Sequence, residues 1–122
     1  HFELEWYLKF LRAATGAELS LDHMFLVADR IYSLLRAFWV REYGNSWSRD
    51  FDTPPMRWFS ETPTKGPYRD AKLDRGGYNR MLDWYYERRG WDQRGIPRKT
   101  TLKKLGLGYV AGELERYIRL TS

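Results

Sequence analysis

Few residues in this chain have the chemical types and the spacing that a catalytic or metal site needs. The 122 residues include no cysteine and two histidines, one of which is the first residue. Zinc and iron–sulfur clusters are held mainly by thiolate and imidazole ligands, so this composition argues against a self-contained metal site. His23 has no second histidine or cysteine near it in the sequence, which favours a surface or helix-cap role over that of a ligand or a base.

Three pairs of acidic residues and one glycine-rich stretch also lack the arrangement that catalysis requires. The pairs are Glu3/Glu5, Asp50/Asp52 and Glu113/Glu115. Residues two apart on a helix do not face one another, and Asp50 and Asp52, outside any helical pattern, could instead hold arginine side chains. The glycines of residues 106–112 follow a predicted helix and are expected to end it, with Leu107 packing back on Leu102, whereas nucleotide-binding glycines follow a strand. The sequence therefore predicts no catalytic, cofactor-binding or metal-binding residue.

The positive charge of the chain is concentrated towards its carboxyl end. The formal net charge is +5, and residues 88–104 contain seven Lys/Arg residues and one acid, Asp92. Such a cluster could meet the phosphates of a nucleic acid. It is more often a solvated helix face, or a face that meets an acidic neighbour, so nucleic acid is not the favoured partner.

Length and composition predict a single domain that spans residues 1–122. Hydrophobic residues make up 43% of the chain and aromatic residues 17%, which is sufficient for a core. No apolar run approaches the roughly 18 residues that a membrane-spanning helix needs, and no signal peptide is apparent, so we expect a cytoplasmic location and no membrane partner. The first residue is not methionine, so His1 could be a tag remnant and the chain a piece of a longer protein.

The spacing of apolar residues predicts an all-α fold of about five helices. The first covers residues 2–14, and the longest runs from an N-cap at Ser20 to a stop at Gly44. The others are expected from about Tyr78 to Arg89, from Pro97 over a short stretch, and over residues 109–120. The residues predicted to face inward are, helix by helix, Leu4, Tyr7, Leu8, Leu11 and Ala14; Met24, Val27, Ala28, Ile31, Leu34, Leu35 and Phe38; Tyr78, Met81, Leu82 and Tyr85; and Val110, Leu114, Tyr117 and Ile118.

Residues 45–75 show no helical or strand period. They contain four of the five prolines, yet aromatic residues interrupt the polar sequence throughout. A segment of this length without regular structure is unusual inside a small domain. We interpret it as one long, ordered, irregular strap that packs on the helices or on protein missing from this chain.

The stretch YYERRGWDQRGIP, residues 85–97, can be explained by structure alone. Tyr85 is expected on the core face with Tyr86 at its border, and Gly90 should stop the helix in a left-handed cap. Trp91 would fold back on the helix end, and Pro97 would begin the next helix. The alternative, in which bases stack on the aromatic rings and arginines contact phosphates, is possible but not required.

Three segments resemble one known family in collinear order over residues 13–107. MLDWYYERRGWDQRGIPRKTTLKKLGL, residues 81–107, resembles the carboxy-terminal signature of the tungsten- or molybdenum-containing aldehyde ferredoxin oxidoreductases. TGAELSLDHMFLVADRIYSLLRAFWVREYG, from Thr15, and SRDFDTPPMR, from Ser48, are similar to upstream segments of that family. The chain departs from the family pattern at Ser33 and Trp39, where asparagine is usual, and at Pro54, where leucine is usual.

The resemblance implies a parent enzyme of three domains that enclose a bis-pterin tungsten or molybdenum cofactor beside a [4Fe–4S] cluster. Members oxidise aldehydes to acids and pass electrons to ferredoxin. Their cluster cysteines and main pterin-binding motifs lie upstream of the matched stretch, and the last cluster cysteine would fall just before His1. The expectation is thus a non-catalytic carboxy-terminal helical domain, without cofactor or site residues of its own, whose partners are the parent's other domains and, through the parent, ferredoxin.

A function of a different class stays open at this point. The chain could be a free-standing basic helical module that binds nucleic acid or a protein partner. If residues 88–104 instead cap helices or face the parent enzyme, binding to DNA or RNA should be weak and non-specific. Titration with duplex and single strands across a salt series measures this, and sub-micromolar, sequence-selective affinity near physiological salt would support the basic module instead.

Overall fold

The described part of the chain folds into helices without a sheet. The computed structural model describes the backbone of residues 2–122 and the side chains of residues 3–122, so His1 lies outside the described part. Within it there are two short 3₁₀ turns, Gly44–Ser46 and Arg49–Asp52, and no strand, which confirms the all-α prediction. The α-helices are α1 (Phe2–Thr15), α2 (Leu21–Tyr43), α3 (Arg57–Ser60), α4 (Arg75–Arg89), α5 (Lys99–Lys104) and α6 (Gly108–Leu114).

Helix α2 begins and ends where the sequence predicts. The hydroxyl of Ser20 accepts a hydrogen bond from the backbone N–H of His23 at 3.2 Å and caps the amino end of the helix. Gly44 caps the carboxyl end, and its backbone N–H donates to the carbonyl of Val40. His23 is exposed in the first turn of α2, where its backbone rather than its imidazole has a structural role.

The face of α2 that is buried differs from the predicted one. Its buried residues are Ser33, Ala37 and Val40, each at most 1% exposed. Residues 31, 34, 35 and 38, which were expected to face inward, are between 41% and 53% exposed. The prediction assumed that the bulkiest apolar side chains of α2 face the core. In the structure the core packs instead against its smaller side chains, Ser33, Ala37 and Val40.

The main hydrophobic core lies between α2 and the carboxy-terminal helices. Ala37 and Val40 pack with buried residues of α5, α6 and the segments beside them: Ile96, Leu102, Leu105, Leu107, Val110, Ala111 and Leu114. A second, smaller cluster joins Leu82, Tyr86 and Trp91. Helix α1 packs on α2 but buries little, since Tyr7 is 65% exposed and of its predicted inward stripe only Leu4 and Leu8 are partly buried.

The strap has two parts that behave differently. Its first part, residues 45–52, packs on the helices: the indole N–H of Trp47 donates to the carbonyl of Arg94, and Arg49 donates to the carbonyl of Asn79. Residues 60–75, in the second part, are all exposed, and Tyr68 is 76% exposed. Packing on the helices, one of the two predicted alternatives, is therefore seen for residues 45–52, whereas the side chains of residues 60–75 are exposed.

The turn between α4 and α5 is closed by its own hydrogen bonds. Gly90 adopts the predicted left-handed conformation (φ 67°), and the hydroxyl of Thr101 donates to its carbonyl at 2.6 Å. The carboxylate of Asp92 accepts from the backbone N–H groups of Arg94 and Ile96 at 2.9 and 3.0 Å. Trp91 is 2% exposed, as expected for a ring that folds back on the helix end.

Three local predictions around this turn are wrong. Tyr86 is the core residue at 1% exposure, whereas Tyr85 is only partly buried, because the rotation of α4 that buries Leu82 also buries the residue four positions later. Met81, expected inward, is 53% exposed for the same reason. Pro97 does not start a helix: it pairs with Trp91 in an isolated β-bridge, and α5 begins two residues later.

The carboxy-terminal helices end partly as predicted. The N–H groups of Gly106 and Leu107 donate to the carbonyls of Lys103 and Leu102, which is the Schellman pattern expected at the end of α5. Helix α6 ends at Leu114 rather than near residue 120, and a series of turns follows it. As a result Tyr117, predicted to face inward, is 44% exposed.

Replacing Gly90 with alanine should destabilise the chain by about 2–3 kcal/mol in urea unfolding. The left-handed conformation is strained for any residue with a Cβ, and that Cβ would lie 2.4 Å from the hydroxyl oxygen of Thr101. Gly112→Ala in α6 is the matched control, because its Cβ would meet nothing within 4 Å, and it should stabilise the chain by up to about 1 kcal/mol. Equal effects of the two substitutions would contradict this account of the turn.

Candidate docking face and aromatic groove

Helix α2 is apolar on two opposite sides. One side forms the core, and the other side is open to solvent. We call this open side the outer face, and it consists of Ile31, Leu34, Leu35, Phe38 and Trp39, which are between 41% and 53% exposed. A helix that is hydrophobic all round is normally covered on all sides, and an apolar surface of this kind normally marks an interaction site.

A buried ion pair lies on the flank of α2 between the core and the outer face. The guanidinium of Arg36 donates two parallel hydrogen bonds to the carboxylate of Asp52, at 2.6 and 2.9 Å. The two side chains are 13% and 23% exposed. The guanidinium also lies 5.0 Å from the ring of Trp47 and 4.5 Å from the ring of Trp91, so each of its faces can meet an aromatic ring.

The carboxylate and backbone of Asp52 also hold two tyrosines of α4. The hydroxyl of Tyr86 donates to the carboxylate at 2.5 Å, and the hydroxyl of Tyr78 donates to the backbone carbonyl. Burial raises the pKa of the Tyr86 hydroxyl well above its ordinary value, and the hydrogen bond to Asp52 raises it further. Tyr86 is therefore a neutral donor to a charged acceptor, and α2, the strap and α4 meet at this one carboxylate.

Sequence reasoning identified only part of this arrangement. Asp52 was expected to be able to hold an arginine, and it does so, whereas no arginine contact is found for Asp50. Arg36 was not among the residues of α2 predicted to face inward, but it is nearly buried. The available signal was the need for a basic partner to Asp52; which arginine supplies it depends on how the strap crosses α2.

An open groove of about 420 Å³ lies directly above the ion pair. Its floor contains Arg36, Asp52 and Trp91, and its walls come from α2, the strap and Tyr85 of α4. The rings in the walls touch one another, with centroids 6.3 Å apart for Trp39 and Tyr43. Because Leu35 and Trp39 belong both to a wall and to the outer face, the groove opens along the edge of that face.

Three of the seven basic residues at 88–104 form ion pairs within the chain. Arg89 binds Asp29, Arg94 binds Asp92, and Lys99 binds Glu115. The guanidinium of Arg89 also lies over the rings of Tyr32 and Tyr85. The Arg89 pair joins α4 to α2, the Lys99 pair joins α5 to the residue after α6, and the Arg94 pair lies within the turn, so these three residues have a structural role.

Residues 2–122 also lack two features that would point to other functions. No group of three or more His, Cys, Asp or Glu side chains in this range is arranged to hold a metal ion. No helix in the same range is both long enough and apolar enough to cross a membrane.

An all-helical domain with an apolar helix face about half exposed is typical of domains that pack against further protein. Comparison with known families shows which family the chain belongs to. The family model described as "Aldehyde ferredoxin oxidoreductase, domains 2 & 3" matches residues 1–107. The chain belongs to the aldehyde ferredoxin oxidoreductase family, as its three sequence segments predict.

Curated relatives carry names consistent with this family. The chain is 31% identical over 101 residues to the tungsten-containing aldehyde ferredoxin oxidoreductases of Pyrococcus furiosus and Pyrococcus horikoshii, which covers 83% of the chain and 16% of each relative. It is 34% identical over 68 residues to the WOR-like subunit of an aliphatic sulfonate oxidoreductase of P. furiosus, covering 56% of the chain and 11% of the relative.

A solved structure shows the same fold. The chain matches a chain of the active site complex BamBC of benzoyl coenzyme A reductase, solved with 1,5-dienoyl-CoA, with a TM-score of 0.66 and 31% identity. The match covers 93% of this chain and 15% of that one. The chain thus spans between about one tenth and one sixth of the length of the proteins it resembles.

Replacing Tyr86 with phenylalanine should cost about 1–2 kcal/mol at pH 7, because the carboxylate of Asp52 loses a buried donor. The folded-state pKa of Tyr86 is raised above 10, so the contribution of its hydroxyl is fully present below about pH 10 and is lost as pH rises beyond it. The stability difference between the two proteins should therefore be constant up to about pH 9 and shrink above it.

Urea unfolding of both proteins between pH 7 and pH 11 measures this difference. Tyr109→Phe, at a residue that is 72% exposed, is the control and should change stability by less than about 0.5 kcal/mol at pH 7. A difference that stays the same up to pH 11 would show that the Tyr86 hydroxyl does not favour its protonated form in the folded chain.

Proposed function

We propose that this chain is the carboxy-terminal helical domain of an aldehyde ferredoxin oxidoreductase-type enzyme and that its outer face packs against the rest of that enzyme. The observation that carries the proposal is the two-sided apolar character of α2. Ser33, Ala37 and Val40 bury one side of α2 in the core of this chain, whereas the side chains of the opposite side remain between 41% and 53% exposed. Monomeric soluble proteins rarely expose a contiguous apolar surface of this kind.

The coverage of the relatives supports further protein as the covering partner. Each relative is several times longer than this chain, and the chain matches 11–16% of its length. A domain cut from such an enzyme would expose the surface that its neighbours cover. The outer face is adjacent to the packed strap, so a neighbouring domain could contact both.

The activity of the parent enzyme is proposed from the family. It would oxidise an aldehyde to a carboxylic acid and pass the electrons to ferredoxin, with redox chemistry supplied by a tungsten or molybdenum bis-pterin and a [4Fe–4S] cluster. The residues of this chain do not fit the cluster, since the chain contains no thiolate ligand and residues 2–122 contain no group of three potential metal ligands. We therefore assign no catalytic or cofactor-binding residue to this chain, and we expect it to be inactive alone.

The free-standing basic module is the less favoured function. The pairing of Arg89, Arg94 and Lys99 with acids of the same chain reduces the charge that residues 88–104 could offer to phosphates. The sequence upstream of His1 discriminates between the two functions. Cluster cysteines far upstream, with a further one shortly before this chain, support the oxidoreductase, whereas a start codon close to His1 supports the module.

Replacing Phe38 with aspartate should have different effects in the chain and in the longer protein. In the 122-residue chain Phe38 is 47% exposed, so the substitution should change stability by less than about 1 kcal/mol and should reduce the binding of an apolar dye. In the complete translated product it should cost about 3 kcal/mol or more, because a charge would be buried at the domain boundary.

Thermal and urea unfolding of both forms measure the two effects. Trp84→Asp is the matched control, since Trp84 is 63% exposed on α4 and lies outside the outer face. A Phe38→Asp substitution that is equally mild in both forms would mean that the outer face stays open to solvent.

A further inference from the structure

The groove above the Arg36–Asp52 pair has the size and lining of a small-molecule site. Its volume of about 420 Å³ falls in the usual range of ligand pockets, which are mostly apolar with a few placed polar groups. Its rim consists of side chains that are about half exposed: Tyr32, Leu35, Trp39, Tyr43 and Phe51. Four of these five are aromatic, which favours a ligand that presents flat faces to them.

The walls are held by contacts between different elements. The ring centroids of Tyr43 and Phe51 are 4.4 Å apart, which joins the end of α2 to the second 3₁₀ turn. Phe51 also lies 5.4 Å from Trp47, and the indole of Trp47 is fixed by its hydrogen bond to the carbonyl of Arg94. A larger groove of about 550 Å³ lies in the second part of the strap, but all its walls come from residues 57–73, so it lacks this support.

The floor of the groove has no net charge to offer. The guanidinium of Arg36 is engaged by both carboxylate oxygens of Asp52, and the same carboxylate accepts the hydroxyl of Tyr86. The carboxylate of Asp52 would repel an anionic ligand. A cationic ligand would have to compete for that carboxylate with the guanidinium of Arg36, which already donates to both of its oxygens. The electrostatics of the floor therefore select a neutral ligand.

We propose that this groove binds a neutral aromatic ring, which inserts between the rings of the rim and lies over the Arg36–Asp52 pair. The groove opens along the edge of the outer face through Leu35 and Trp39, so protein that covers this face would close the groove into a cavity at a domain boundary. Closure of the groove by another domain rests on the proposed function, whereas the binding itself needs only this chain.

The indole N–H signals of the six tryptophans provide the test, since three of these residues line the groove and three do not. The chain is titrated by ¹H–¹⁵N NMR with benzyl alcohol, and with benzylammonium, benzoate and 1-heptanol as probes of matched carbon count. Benzyl alcohol should shift the signals of Trp39, Trp47 and Trp91 saturably. The two charged probes lack neutrality, and the open-chain alcohol lacks a ring that can stack. Each of them should therefore bind at least about fivefold more weakly than benzyl alcohol.

Two substitutions locate the binding. Trp39→Ala removes one aromatic wall and should weaken benzyl alcohol binding roughly five- to tenfold, whereas Trp84→Ala should leave it unchanged. Leu34→Asp alters the outer face at a residue that does not line the groove and should also leave binding unchanged, which separates this proposal from the docking of the outer face. Non-saturating shifts, equal shifts at all six indoles, or equal affinity for 1-heptanol would each overturn the ring-binding site.

Discussion

The structure depends on one ion pair that joins three parts of the chain. Arg36 of α2 and Asp52 of the strap form a two-point hydrogen-bonded pair, and Tyr86 of α4 donates to the same carboxylate. Breaking such a nearly buried pair by removing one partner typically costs about 3–5 kcal/mol, because the remaining charge is left without compensation. The rings of Trp47, in the strap, and Trp91, in the α4–α5 turn, lie within cation–π distance of the same guanidinium, so the turn is also held at this pair. Without this pair the first part of the strap would lose its main attachment to α2, and the groove would lose its floor.

The pair also explains why α2 can serve two neighbours. Small residues, Ser33 and Ala37, let the core pack closely on one side, and the strap is anchored on the flank through Arg36. The large apolar residues are thereby left on the opposite side, where they stay about half exposed. Of the two α2 positions expected to depart from the family pattern, Trp39 forms a wall of the groove. Ser33 is buried in the core, and its hydroxyl accepts a hydrogen bond at 3.4 Å from the indole N–H of Trp91 in the groove floor.

Local signals in the sequence predicted local features well. The cap at Ser20, the stops at Gly44 and Gly90, and the Schellman turn at Gly106 each depend on a few adjacent residues, and all four are confirmed. The predicted inward face of α2 was wrong because a single amphipathic side was assumed, whereas α2 has two apolar sides and the bulkier one faces away from this chain. The groove and the Arg36–Asp52 pair could not be predicted residue by residue, since they form only when the strap crosses α2.

Hydroxyl-radical footprinting of the outer face tests the central claim most directly. The 122-residue chain and the complete translated product are oxidised under the same conditions, and modification is quantified by mass spectrometry at Leu35, Phe38 and Trp39. Half-exposed side chains react in the isolated chain, so the account predicts strong modification there and protection in the longer protein. Equal modification of these residues in both proteins would show that α2 presents its apolar outer face to solvent and would contradict the account.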